Sequence, residues 1–195
     1  MRFKNIIGQD KIKKRLLNSV SENRVSHALL LSGTSGTGKL AIAIAYAQYL
    51  SCSNKTDHDS CGECLSCKKY EKLIHPDLHF VFPVFSSPKN DKPVSDNYIK
   101  EWRELINEDP YITLNQWLSY IGSENKQGII NTHESSEILR KLNLKAFESE
   151  YKIMIIWQAD KMNLIAANKL LKLIEEPPQK TVFILTTENQ DHMLK

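Results

Sequence analysis

What this sequence lacks narrows it first. No apolar run approaches the eighteen or so residues that a membrane-spanning helix needs. The opening Met1-Arg2-Phe3-Lys4-Asn5 has none of the apolar stretch of a secretory signal. Neither sign of charge dominates, with 26 Lys and Arg against 23 Asp and Glu, which excludes disorder driven by charge excess. With 41% hydrophobic residues, 195 positions support one buried core and a small appendage rather than two full domains. The expectation is a globular cytoplasmic protein with no membrane partner.

Glycine and cysteine are scarce and unevenly placed. Of seven glycines, three (Gly33, Gly36 and Gly38) fall within six positions, and all four cysteines lie between Cys52 and Cys67. Both clusters are candidate sites.

The glycine cluster sits between two readable elements. Ala28-Leu29-Leu30-Leu31-Ser32 is a short apolar run suited to a strand buried on both faces. Leu40 to Leu50, rich in Ala and Ile, reads as a helix. Between them, Gly33 to Lys39 fits G-x-x-x-x-G-K. Glycines let backbone N–H groups turn inward, the helix start adds partial positive charge, and Lys39 adds a full one. Gly33, Gly36, Thr37, Gly38 and Lys39 are therefore candidate phosphate contacts. A chance glycine-rich turn is the plainer alternative; the strand before and the helix after weigh against it. The position after the lysine, where Ser or Thr would hold Mg²⁺, is Leu40, which offers no oxygen. The expected loop keeps a shape for phosphate, ATP or ADP is not counted on as a ligand, and Mg²⁺ is not expected.

Cys52, Cys61, Cys64 and Cys67 follow C-x8-C-x2-C-x2-C. Four thiolates can close a tetrahedral zinc site, and x2 spacing lets neighbours face one ion. The surroundings (Ser53, Asn54, Lys55, Asp57, Asp59, Ser60 and Gly62) are too polar to fold on a core of their own, so metal would supply the folding energy. Two disulfides are the alternative, disfavoured in a cytosolic chain; a redox C-x-x-C is another, though a doubled pair suits zinc better. A closed four-cysteine site has no open position for water, so its expected role is structural.

The remaining pattern alternates. Ile12, Leu16 and Val20 mark a helix over 10–20. Residues 1–24 carry seven basic and two acidic side chains, a face that suits either DNA phosphates or plain solvation. His75, beside Pro76 at the entrance to a strand over 78–85, reads as structural. Residues 86–125 read as an elaborated connection with short helices, whose Tyr98, Trp102, Tyr111 and Trp117 suit local packing better than base stacking. A helix over 134–148 (Ile138, Leu139, Leu142 and Phe147 apolar), a strand over 151–157, a helix over 163–175 stopped by Pro177-Pro178, and a strand over 181–185 follow. The alternation predicts an α/β fold with a parallel sheet covered by helices on both faces.

Together these features resemble the bacterial DNA polymerase III clamp-loader subunits of the AAA+ class. Phe3-Lys4-Asn5-Ile6-Ile7-Gly8-Gln9, Arg24-Val25-Ser26-His27-Ala28-Leu29, the four cysteines after the loop helix, and Asn168-Lys169-Leu170-Leu171-Lys172-Leu173-Ile174-Glu175-Glu176-Pro177-Pro178 are similar to that family in order and spacing. The resemblance implies a P-loop NTPase-type (AAA+) domain over 1–195, containing a zinc module at 52–67 and a variable insertion at 86–125. It also implies helical lid and collar domains, and a Ser-Arg-Cys segment whose arginine reaches a neighbour's ATP, all beyond Lys195.

The departures matter equally. Eleven positions before Asn168 the family's hydrolysing subunits place an Asp-Glu pair that holds Mg²⁺ and orients the attacking water; here stand Trp157 and Gln158. The nearest acid, Asp160, lies beyond the expected strand end and is expected on the surface. With Leu40, the losses resemble the delta-prime type, a non-hydrolysing member with no catalytic residues of its own. Its implied partners are gamma/tau- and delta-type subunits in a ring and, through them, the sliding clamp and primed DNA. Two readings compete: a hydrolysing gamma/tau-type subunit that uses Asp160 or another carboxylate facing Lys39, and a zinc-dependent nucleic-acid module, which Asp57, Asp59 and Glu63 inside the cluster weaken.

Overall fold

The apolar runs become four parallel strands. A computed structural model describes residues 1–86, 90–123 and 127–193, so residues 87–89 and 124–125 of the 86–125 insertion lie outside the described residues. The strands are β1 (Ala28–Ser32), β2 (Leu78–Val81), β3 (Lys152–Ile156) and β4 (Thr181–Thr187), in the sheet order β1-β4-β3-β2. Leu30 pairs with Leu185, Ile155 with Ile184, and Phe80 with Ile155.

Alternation along each strand decides which side it feeds. Ile153, Ile155, Val182 and Ile184 enter one core, while Met154, Ile156, Phe183 and Leu185 enter another on the opposite face. The first core receives α1 (Asp10–Ser21), α2 (Lys39–Ser51), α4 (Ile99–Glu108) and α5 (Leu114–Tyr120); the second receives α6 (Thr132–Leu142) and α7 (Leu164–Glu175). The remaining helix, α3 (Leu65–Glu71), starts at a Cys64 cap, carries Cys67 and adds Tyr70 to the first core. Every residue of α2 from Leu40 to Ser51 is buried. A helix apolar all round must lie inside, and Ala41, Ala43, Ala45 and Ala47 let its neighbours approach closely.

The insertion is folded into the first core. Trp102 stacks on Phe82 with ring centroids 4.2 Å apart and meets Trp117 edge-on at 5.1 Å. The Trp117 indole N–H donates to the Pro83 carbonyl at 2.8 Å. These aromatics pack locally, as the sequence suggests.

Two elements depart from expectation by more than a couple of residues. The strand expected over 78–85 ends at Val81: the Phe82 N–H turns to Ser95 Oγ at 2.9 Å, Pro83 has no N–H to give, and Val84 forms an antiparallel bridge with Ile129 instead. The helix expected over 134–148 runs over Thr132–Leu142, started by Asn131, whose side chain accepts from the N–H groups of His133 and Glu134. Beyond Leu142, Lys152 Nζ donates to the Leu142 carbonyl, and the N–H groups of Phe147, Glu148 and Ser149 turn to the Asp77 carboxylate at 2.6, 2.7 and 2.8 Å. Phe147 is thus off the helix and 80% exposed, not on an apolar face. His75 is buried against the Tyr70 ring, and its Nδ1 accepts the Asp77 N–H at 3.2 Å, the structural role expected of it. No helix among the described residues is long and apolar enough to cross a membrane.

Candidate functional site

Strand β1 delivers the chain into the glycine loop, and helix α2 carries it away. Gly36 and Gly38 take left-handed backbone at φ 74° and 80°, which glycine adopts without strain. The Thr37 hydroxyl donates to the Thr34 carbonyl at 2.9 Å, and Gln9 Nε2 donates to the Thr37 carbonyl at 3.2 Å. Lys39 folds back over the loop, its Nζ donating to the carbonyls of Gly33 and Thr34 at 2.7 and 2.6 Å. Burial lowers the Lys39 pKa, partly opposed by the nearby carboxylates of Glu188 and Asp160. Leu40 is 3% exposed and belongs to the apolar core.

The two positions at the tip of β3 where the carboxylate pair would stand, Trp157 and Gln158, carry none. Trp157 is 3% exposed and packs on Trp102 of the insertion, with centroids 5.2 Å apart. Gln158 donates its side-chain N–H to Glu188 at 2.7 Å and its backbone N–H to Thr186 Oγ1 at 3.2 Å. The expectation of a surface Asp160 is corrected: its side chain is 1% exposed, accepting from Thr187 Oγ1 at 2.9 Å and paired with Lys161 at 3.0 Å. Burial works against its ionisation, yet Lys161 and Thr187 hold its pKa below the ordinary carboxylate value. The 3₁₀ turn over Ala159–Lys161 draws it inward, a local fold that its distance from the strand end does not reveal.

The four cysteines converge. Their sulfur atoms lie within 4.8 Å of one another, with Cys52–Cys61, Cys52–Cys64 and Cys61–Cys67 separations of 3.5, 3.9 and 3.9 Å. A tetrahedron of zinc–sulfur bonds has edges of about 3.8 Å, so the set fits one ion. None of the four forms a disulfide. Backbone N–H groups point at the sulfurs: Glu63 and Cys64 at Cys61, Cys67 at Cys64, and Cys61 at Cys52, all at 3.3–3.4 Å. The N–H groups of Glu63 and Cys64 lower the Cys61 pKa. Burial resists ionisation at Cys64, but the Cys67 N–H and its neighbours bring it to about 6. Burial pushes Cys52 up to about 12. With Cys52 and Cys67 buried, the set needs a cation before all four can be thiolates, and the four cysteines could hold a metal such as zinc.

The module is fastened to the body by groups that spacing does not reveal. Asp59 accepts the N–H groups of Phe3 and Lys4 at 3.1 and 3.0 Å, and Arg2 donates to the Cys61 carbonyl at 3.3 Å. Gln48, inside α2, donates to Ser60 Oγ at 3.1 Å.

Strand, glycine loop and buried helix, on a parallel sheet covered on both faces, define a P-loop NTPase-type α/β domain. A family model described as DNA polymerase III, delta subunit matches residues 8–195. The chain is 32% identical over 186 residues to DNA polymerase III subunit delta' of Bacillus subtilis (strain 168), covering 95% of this chain and 44% of that protein. It is 28% identical over 193 residues to DNA polymerase III subunit gamma of Buchnera aphidicola subsp. Acyrthosiphon pisum (strain APS), covering 99% and 42%. The crystal structure of a DNA polymerase III gamma subunit-related protein from Thermotoga maritima shares the fold, with a TM-score of 0.53 at 15% identity over 93% of this chain and 41% of that one. The chain belongs to the DNA polymerase III clamp-loader subunit family. It spans less than half the length of these relatives.

Proposed function

We propose that residues 1–195 form the AAA+-type domain of a non-hydrolysing, delta-prime-type clamp-loader subunit, which serves as a partner within a ring of gamma/tau- and delta-type subunits that sets the sliding clamp on primed DNA. The observation that supports it most is Trp157. Where a hydrolysing member needs a metal-holding carboxylate, an indole is sunk in the core against Trp102. Leu40 removes the second metal ligand from the same region. Phosphoryl transfer relies on positioned charge to stabilise its transition state, and neither residue supplies any. The four cysteines, in this reading, hold zinc as a structural ion.

The gamma/tau-type reading draws on the similarity to subunit gamma. It needs a free carboxylate facing Lys39. Two acids lie near Lys39: Asp160, whose oxygens are engaged by Thr187 and Lys161, and Glu188, whose Oε1 accepts from Gln158.

Co-purification of the full-length protein with clamp-loader subunits, followed by ATPase assays of the protein alone, separates the two readings. The expected result is stable association with no turnover above background. Metal-dependent turnover of about one per second, the low end for enzymes, would refute the non-hydrolysing assignment.

A further inference from the structure

Losing the means to hydrolyse ATP does not by itself keep nucleotide out. A second feature beside the loop bears on that. The turn at Asp109–Thr113, between α4 and α5, lies over the glycine loop. A Cβ built on Gly38 would stand only 2.8 Å from Cε1 of Tyr111, so the ring rests directly on the backbone from which a phosphate would take its hydrogen bonds. The open cleft lined by Gly36–Leu40, Pro110–Ile112, Trp157, Gln158 and Glu188 leaves about 10 Å³ of space beneath the ring. That is room for about one water at most, and a tetrahedral phosphate is larger.

The turn that carries the ring is built, not loose. The Tyr111 N–H donates to Asp109 Oδ1 at 2.8 Å, and its hydroxyl accepts the Ile7 N–H at 3.3 Å. Ile112 is buried in the core, and Thr113 with Gln116 forms a reciprocal cap that starts α5. Opposite the ring, the Glu188 carboxylate adds negative charge where phosphate would need positive. On the other side of the loop, a groove of about 700 Å³ runs along β1 and α1 past Gln9, Leu30, Gly33, Thr34, Thr37 and Lys39. A nucleoside has space there; the cleft under Tyr111, between Gly38 and Trp157, has none for a phosphate.

We propose that Tyr111 is a stopper of the phosphate loop, the residue that excludes the phosphates of ADP and ATP from a loop otherwise shaped to hold them. This rests on the non-hydrolysing reading and deepens it: Leu40 and Trp157 remove the metal chemistry, whereas Tyr111 removes occupancy.

Calorimetric titration of the full-length chain with ADP, with and without Mg²⁺, tests it. A stopper in place more than about nine-tenths of the time weakens apparent affinity at least about tenfold. Tyr111→Ala should therefore bind ADP at least about tenfold more tightly than the native chain, while Tyr111→Phe, which keeps the ring, should bind as the native chain does. Equal affinity in the native chain and Tyr111→Ala would overturn the proposal. Should Tyr111→Ala fail to fold by circular dichroism, Tyr111→Leu, which keeps apolar bulk but stops short of Gly38, is held to the same standard. Failure of the subunit reading looks different: the chain would not join clamp-loader subunits, whatever Tyr111→Ala does to ADP affinity.

Discussion

Glu134 gives the sharpest quantitative test of how the insertion is held to the sheet. It occupies the first turn of α6 and is 1% exposed. Its Oε2 accepts the Ser95 N–H at 2.6 Å, which ties the insertion to the second helical layer, while its Oε1 has no partner among the described residues. Burial raises its pKa from 4.5 to about 7, against the opposing pull of the Ser95 N–H and Lys141. Between those two values the native state binds more protons than the unfolded chain, so stability falls as pH rises. The full effect, reached above the folded pKa, is about 3 kcal/mol. Glu134→Gln removes the charge and leaves an oxygen to accept from Ser95. Any fixed penalty of the amide cancels when the same variant is compared at two pH values. Urea unfolding at pH 5 and pH 8 should show Glu134→Gln gaining about 2–3 kcal/mol relative to the native protein between them. Parallel behaviour of the two proteins across that range would refute the buried-charge account, and a loss in place of a gain would mean that the carboxylate is stabilising.

Two further outcomes follow from the described contacts. Metal analysis should find one zinc per chain, and chelation should raise amide exchange over 52–67 and at Phe3 and Lys4, which Asp59 holds, while β3 and β4 stay protected; exchange that begins in the sheet would contradict a local structural ion. Burial pushes the Asp77 pKa up, but the N–H groups of Phe147, Glu148 and Ser149 outweigh it and hold it below the ordinary carboxylate value. Its contribution is therefore present above the ordinary carboxylate range and lost as pH falls through the folded pKa. Asp77→Asn, which sets an amide donor against one of those N–H groups, should destabilise by about 2–4 kcal/mol at pH 7 in a denaturant titration, with the deficit shrinking in acid; a deficit that is constant with pH would count against the charge-assisted bonds.

The parts of this protein that are legible in sequence are those fixed over short stretches. Gly33 to Lys39 forms the strand–turn–helix its sequence suggests, because that shape is specified by neighbours along the chain. The runs of β3 and β4 read correctly because burial on both faces demands continuous apolar residues; β1 corrects the same expectation, since it lies at the sheet edge with Leu31 buried and Leu30 40% exposed. The cysteines converge as their spacing suggests, since ligands able to share one ion recur at characteristic separations. What stays hidden depends on partners distant in sequence. Tyr111 is one aromatic among several in a polar insertion until the fold lays it on Gly38. Asp59 reads as an acid that weakens a nucleic-acid role and turns out to fasten the module to Phe3 and Lys4. Phe147 continues an apolar helical spacing, but three backbone N–H groups find the Asp77 carboxylate and the helix stops. Asp160 reads as a solvent-facing acid because its partner Thr187 comes from the neighbouring strand.

The burial of α2 changes what its glycine loop signifies. The helix runs through the first core as an axle, touched by the sheet on one side and by α1 and the cysteine module on others, with no residue from Leu40 to Ser51 left at the surface. Its position is dictated by the packing of Ala41, Ala43, Ala45 and Ala47, and the turn that feeds it from β1 must close in the geometry Gly36 and Gly38 provide. The loop is thus a hinge-pin seat for the whole domain whether or not a nucleotide ever visits it. In a protein built this way, a phosphate-binding signature can survive as masonry, and its presence in a sequence measures architecture before it measures chemistry.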